Sequence, residues 1–350
     1  MNTPVFRTGG QILGVADVLD AAHFRGELEP AWKEVLWLAE CEARAGEEPE
    51  AAALQASSEK FRSDRDLITA EETEQWLEER GLTLDDFTDY FVRHYWKEAL
   101  VGNAEPPALD YLDAPQNLRD LLRAELLING EFDRQARQLA WRFAARSAQP
   151  AREAIARERA RFLERTRLDE ATLPAWLARL GRDESWLEEM LQLEAAYRQQ
   201  SSSLLTTEAL EGALELLRIP LTRIKLEIIE LEALHAAREA FLCLREDGAS
   251  MQEVARDGRY PCRRVEVLLE ELPAESQQKF LSAAAGEVLE PLARGEGFQL
   301  CQLIQKIEPE LTDVKVRARA EQHVLNRHFS ELVAEHVRWI MPPTYDAAAR

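Results

Sequence analysis

Six histidines and four cysteines are the side chains of this 350-residue chain best suited to metal or nucleophilic chemistry. His323, His328 and His336 fall on one predicted helix near the end of the sequence. At about 100° per residue, His336 lies about 80° and His323 about 140° around that helix from His328. Ligands that share a metal on one helix stand three or four residues apart, so no metal centre is expected. Cys41, Cys243, Cys262 and Cys301 are scattered with no Cys-Xaa-Xaa-Cys pair, which speaks for free thiols and against a zinc knuckle or a disulfide framework. Adjacent acids such as Glu71-Glu72 and Glu188-Glu189 point apart on a helix and cannot work as a pair. The sequence contains no phosphate-binding glycine loop and no Gly-Xaa-Ser-Xaa-Gly elbow. These residue types lead to an expectation of no catalytic residue, no metal and no cofactor. Eight tryptophans (Trp32, Trp37, Trp76, Trp96, Trp141, Trp176, Trp186 and Trp339) sit in helical stretches. Most suit packing between helices, which leaves a few to line an apolar groove for a peptide.

The elements that must position these residues are mostly helical. Pro4 to Gly14 alternates apolar residues around Gly9-Gly10 and predicts a hairpin or an extended entry strand. Val15 to Ala45 has helical spacing with a break at Gly26. Thr69 with Glu72 reads as a capping box for a helix ending near Gly81. Thr83 with Asp86 opens the next, with Leu84, Phe87, Phe91 and Tyr95 on one face. Asn103 to Gln116 holds three prolines and reads as a linker. Helical pattern resumes at Leu118 and runs, with breaks at Gly130, Pro150 and Gly181, to a junction at Ser201–Ser203.

The period then changes from helical to alternating. Ile224, Leu226 and Ile228 alternate with Arg223, Lys225 and Glu227, which predicts a half-buried strand. A helix over Ala233–Glu246 follows, then a short one capped by Ser250. A strand at Arg263–Leu269, a helix at Ala274–Ala285 stopped by Gly286, and a third strand at Gly297–Ile307 complete the segment. Thr312 is expected to cap a final helix that carries Val324 to Ile340 and stops at Pro342-Pro343.

Two helical stretches align with each other. Phe24-Arg-Gly-Glu-Leu28 matches Ile128-Asn-Gly-Glu-Phe132, and Trp76-Leu77 with Gly81 match Trp176-Leu177 with Gly181. Phe87, Tyr90 and Phe91 match Leu187, Met190 and Leu191, which argues for duplication of one helical module of about 100 residues.

The chain carries 64 acidic and 43 basic side chains, a formal net charge of −21. Residues 1–100 alone hold 22 acidic and 10 basic groups, a net of −12, whereas residues 301–350 balance at seven of each. This excess disfavours nucleic acid and anionic membranes, and locates an acidic surface that could steer a basic partner. No apolar run approaches the ~20 residues of a membrane span, and Met1–Gly10 has no basic-then-apolar leader pattern, so a cytoplasmic location is expected.

The order of elements, together with Leu272-Pro273, Phe280-Leu281, Gly286-Glu287-Val288, Pro291, Gly297-Phe298 and Leu303, resembles a parvulin-type peptidyl-prolyl isomerase domain of the PpiC/SurA kind. Gly10, Ile12 and Leu13, followed by a helix through Val18-Leu19, are similar to the helical region of SurA-type chaperones, in which a C-terminal helix often folds back on the N-terminal part. The resemblance covers roughly residues 9–100 and 200–340. It implies a cleft with one histidine in the first strand and another after the Gly-aromatic pair of the last. Here Leu226 and Glu227 occupy the first neighbourhood and Gln299 the second. The family's long active-site loop is reduced to Asp257–Cys262, which leaves Cys262 without a nearby histidine.

The expected fold is therefore mainly α, with SurA-like helical modules and a small, degenerate parvulin-like α+β domain. Residues 1–102 would form a first helical module, 103–116 a linker, 117–203 a second related module, 204–309 the parvulin-like domain, and 310–350 a helix packing back on the helical region. The expected function is a peptide-binding chaperone or escort with a non-catalytic domain. Divergent relatives of this kind resemble proteins of bacterial peptide-maturation and export systems, so a precursor peptide is the preferred client. The alternatives are an isomerase with a reworked cleft and a docking subunit of a larger complex. Leu226, Ile228, Val265, Val267, Phe280, Phe298, Leu300, Trp32 and Trp76 are the candidate peptide-binding residues. The expected partner is an unfolded segment, with a basic one favoured; a homodimer and a hetero-complex are both compatible with the sequence.

Overall fold

The computed structural model describes residues 2–45, 49–99, 108–295 and 297–343. The chain divides into two compact units, one formed by Met1–Ser202 with His328–Arg350 and the other by Ser203–Arg327. The fold class is mainly α with a small α+β unit, as the periodicities led us to expect.

The first unit opens with β1 (Pro4–Thr8) and β2 (Gln11–Gly14), joined through Gly9-Gly10, both of which have positive φ. Among the described residues, ten α-helices follow: α1 (Val15–Phe24), α2 (Glu29–Arg44), α3 (Ala51–Ser63), α4 (Ala70–Arg80), α5 (Leu84–Ala99), α6 (Gln116–Asn129), α7 (Glu131–Ala144), α8 (Arg152–Thr166), α9 (Leu173–Leu180) and α10 (Glu184–Leu204). The Thr69–Glu72 capping box forms, and Thr83 and Asp86 bond reciprocally at the start of α5. Phe87 and Phe91 are buried, but Leu84 lies exposed in the first turn, outside the apolar stripe. Of the expected linker, residues 103–107 lie outside the described residues. Its remainder holds a 3-10 turn at Tyr111–Asp113 and the first residue of α6. Ser201–Ser203 do not interrupt α10, which runs on to Leu204; the break follows at Leu205, before the Thr206 cap of the next helix.

Five helices match five. Gly81 and Gly181 both close a helix at positive φ, with Leu82 and Arg182 donating their N–H groups back to Leu77 O and Leu177 O. Asp66 and Arg167 hold the left-handed turns after α3 and α8. Phe61 meets Trp76 edge-on at 5.7 Å, and Phe162 meets Trp176 edge-on at 5.2 Å.

The second unit comprises α11 (Thr207–Leu216), β3 (Arg223–Leu231), α12 (Leu234–Arg245), α13 (Met251–Gly258), β4 (Cys262–Leu268), α14 (Ala274–Ser282), β5 (Leu292–Arg294), β6 (Gly297–Ile307) and the first part of α15 (Val314–His336). The sheet order is β4-β3-β6-β5, antiparallel throughout. β3 is a central strand buried on both faces, not half-buried: Ile224, Leu226 and Ile228 pack on one face, and Ile229 and Leu231 on the other. β5 is absent from the sequence reading because three residues are too few to show a period. α14 stops at Ser282, before Gly286.

α15 begins at Val314, and its cap is Asp313, which accepts from the N–H groups of Lys315 and Val316; Thr312 instead bonds Glu310. The helix ends at His336. Val337 belongs to β7 (Val337–Trp339), which pairs antiparallel with β1, and the Ile340 N–H bonds Val5 O. The first unit's sheet is thus ordered β2-β1-β7.

Candidate functional site

The residues expected to bind peptide separate into three places. Leu226 and Ile228 of β3, Val265 and Val267 of β4, and Phe280 of α14 converge on one cleft of about 130 Å³. Leu292 of β5 and Leu272-Pro273 before α14 complete its apolar wall. Phe298 and Leu300 are not part of it. Side chains alternate along β6, so these two face the other side of the sheet and pack with Ala237, Ala240 and Leu244 of α12 and Met251 and Ala255 of α13. Trp32 and Trp76 belong to the first unit and are 5% and 8% exposed, which makes them core residues. Trp32 donates its indole N–H to Leu109 O at 2.6 Å, and Trp76 packs on Phe61.

The same alternation places Gln299 and Cys301 in the cleft, between Phe298, Leu300 and Gln302. Sequence reasoning noted Gln299 only as a missing histidine and treated Cys301 as a scattered thiol. Their period-two relation to Phe298 was the signal that could have found both. Gln299 is 9% exposed and donates from its amide to Glu230 Oε1 at 3.3 Å. Arg263, at the rim, donates to the same oxygen at 2.8 Å. The glutamine therefore holds a fixed orientation and supplies a donor and an acceptor that do not titrate. Cys301 is 2% exposed, and burial pushes its thiol up to about 12, so at neutral pH it is a protonated, weak donor. Ser276 and Arg294 supply the remaining polar groups of the lining.

No histidine lines this cleft. The second unit has two, His235 and His323, and neither lies among the lining residues. Of the two residues at the expected histidine position of the first strand, Leu226 faces the cleft. Glu227 faces away from it, toward Gln252 of α13 and Arg264. Cys262 opens β4 exposed, and burial by its surroundings followed by the nearby Glu227 carboxylate raises its pKa. A raised pKa is the opposite of what a nucleophilic thiol needs. Among the described residues no group of three or more His, Cys, Asp or Glu side chains could hold a metal ion, and no helix is long and apolar enough to cross a membrane.

No family model matches this chain, and neither does any curated protein sequence. Solved structures similar to it include the peptidylprolyl isomerase PrsA of Bacillus cereus, at 13% identity over 62% of this chain and 85% of that one, with a TM-score of 0.38. The foldase PrsA of Streptococcus pneumoniae matches at 12% identity over 66% and 92%, with a TM-score of 0.28. One of two SurA-like chaperones of Campylobacter jejuni matches at 12% identity over 67% and 95%, with a TM-score of 0.22. At such identities, what the cleft does is decided by its own residues.

Proposed function

We propose that this protein binds extended peptide segments, receiving an apolar or prolyl side chain in the β3–β4–β6–α14 cleft, and that it acts as a chaperone or escort without catalysing isomerisation. The carrying observation is the cleft itself, which has an apolar floor and wall, one fixed amide, one protonated thiol, the Ser276 hydroxyl, the Arg263 and Arg294 guanidiniums, and no histidine. An apolar pocket with a few oriented polar groups is what side-chain recognition requires. Rotation about a prolyl peptide bond must overcome a barrier of roughly 18–20 kcal/mol, and lowering it takes groups that stabilise the twisted imide. Gln299 is already engaged by Glu230, and Cys301 is a poor donor, which supports binding over catalysis.

The acidic excess of residues 1–100 supports a client with basic flanks, and a precursor peptide of a maturation or export system is such a client. The four free cysteines suit a reducing compartment, so the reading extends to the cytoplasm.

The test pairs two assays on one labelled peptide that contains an apolar residue before proline. Fluorescence anisotropy should report saturable binding that Val265→Lys, at a half-buried position of the cleft, abolishes while the far-ultraviolet circular dichroism and thermal unfolding of the whole protein are kept. A coupled isomerisation assay should show no rate above background. No binding by the native protein would refute the reading, and an isomerisation rate above background would replace it with that of an active isomerase.

A further inference from the structure

The duplicated helices do more than resemble each other: they cross. The packing inside the first unit assigns the surface through which they do so. We propose that α1–α10 are two mutually exchanged copies of one five-helix module, and that each copy's first helix is a docking surface whose partner is a second copy of the same module.

The first observation is a reciprocal pair of hydrogen bonds. Arg65, at the end of α3, donates to Ile128 O at the end of α6, with Nη2 to O at 3.2 Å. Arg165, at the end of α8, donates to Phe24 O at the end of α1, with Nη2 to O at 2.5 Å. Arg65 and Arg165 are one residue out of step in the frame set by Phe61 with Phe162 and Asp66 with Arg167, so they come from the same turn of the repeat without being counterparts; Ile128 and Phe24 are equivalent, each standing two residues before a positive-φ glycine, Gly130 and Gly26. Each arginine also lies over the phenylalanine of its own copy, Phe61 at 3.7 Å and Phe162 at 5.8 Å. An arginine at the end of the third helix of each copy thus reaches the end of the other copy's first helix.

The packing follows the same rule. α1 lies against α7, and the equivalent pair, α6 and α2, also lie together. The loop after α9 is fixed to α1 by Arg182, which bonds Asp17 and Asp20 at 2.8 and 2.7 Å. The loop after α4 is fixed to α6 by Arg123, which donates to Gly81 O at 3.0 Å. The residues differ but the two surfaces are equivalent. Phe24 of α1 stacks on Phe162 of α8, and His23 stacks on Trp176 of α9. On the other side, Glu125 of α6 is bound by Arg93 and His94 of α5 at 2.9 and 3.0 Å. Contacts within a copy include ion pairs from its second helix, Lys97 of α5 with Glu34 of α2 and Arg142 of α7 with Glu194 of α10, and the packing of α3 and α4 on α5.

Each first helix is therefore covered by the other copy. Val18, Leu19, Ala22 and Phe24 of α1, and Leu122, Leu126, Leu127 and Ile128 of α6, are buried. A copy standing alone would expose that stripe. Among the described residues, the β1–β2–β7 sheet has no counterpart in the second copy.

The test uses the full chain with a protease recognition sequence inserted between residues 103 and 104, cut in the folded state. Because β7 could itself hold the pieces together through β1, a second version ends at His336. In both versions the cut pieces should co-elute in native size exclusion and keep their tryptophan emission. Arg65→Ala and Arg165→Ala should each raise the dissociation constant of the cut pieces by about tenfold, the scale of one charge-assisted hydrogen bond. Pieces of the version ending at His336 that separate while keeping their helical circular dichroism would overturn the exchange. So would cut pieces whose association is unchanged by both arginine substitutions.

Discussion

Asp20 offers a direct reading of the balance between burial and charge in the first unit. Its carboxyl accepts from Arg182 at 2.7 Å, yet it is pushed up to about 6, because desolvation outweighs the guanidinium. An unfolded aspartate titrates near 3.8. Between these values the folded chain binds a proton that the unfolded chain does not. The favourable contribution of the protonated form is thus complete below the unfolded value and is lost as pH rises through about 6. Two units correspond to roughly 3 kcal/mol at about 1.4 kcal/mol per unit. The perturbation is Asp20→Asn, which removes the titration and leaves Asp17 to hold Arg182. Glu27, whose carboxyl is held below its usual range although burial alone would raise it, works in the opposite direction, so the observable is the difference between the two proteins. All eight tryptophans lie in the first unit, so urea unfolding followed by their emission reports that unit alone. From pH 7 down to about 3.5, the native protein should gain about 3 kcal/mol relative to the variant, with most of the change between about 6 and 4. A flat difference would refute the dominance of burial. A difference of the opposite slope would show that Arg182 holds the carboxylate ionised.

Two further outcomes test other parts of the molecule. An aromatic disulfide reagent at pH 8 should modify exposed Cys262, more slowly than a free thiol because its pKa is raised, and leave Cys41 and Cys301 unmodified until unfolding, since both are buried; mass mapping of the adducts decides it. A basic client should bind more weakly as salt rises from 0.05 to about 0.5 M, because screening shortens the reach of the acidic first unit, whereas an uncharged peptide of the same apolar sequence should not; equal salt dependence would remove the steering idea.

Where helix signals were local, the sequence could be read to the residue. The Thr69–Glu72 box, the Ser250 cap and the glycines at 26, 81, 130 and 181 mark real turns and ends. The end of α15 was illegible because Val337 and Ile340 continue its helical spacing, and only their pairing with β1 draws them out of it. Thr312 lost the cap to Asp313 for a similar reason: both can cap, and chain geometry chose between them. In the cleft, the apolar residues of β3 and β4 were legible from their alternation. The assignment of Phe298 and Leu300 slipped by one residue, which on a strand is the opposite face. The crossing of the two helical copies could not be read, since a repeat shows that two segments are alike and not which of them touch.

The pairing of β1 with β7 has a consequence for biosynthesis. β1 is the middle strand of its sheet, and Phe6 on it meets Phe143 and Trp339. During translation the ribosome delivers β1 early but β7 only after the whole of the second unit. The second unit's four-stranded sheet can therefore close while β1 still carries an unpaired edge, and unpaired edges recruit other strands. The nascent first unit would depend on a late strand to seal it. Its maturation would then be limited by chain completion, and a ribosome stalled before Val337 would display an adhesive half-sheet.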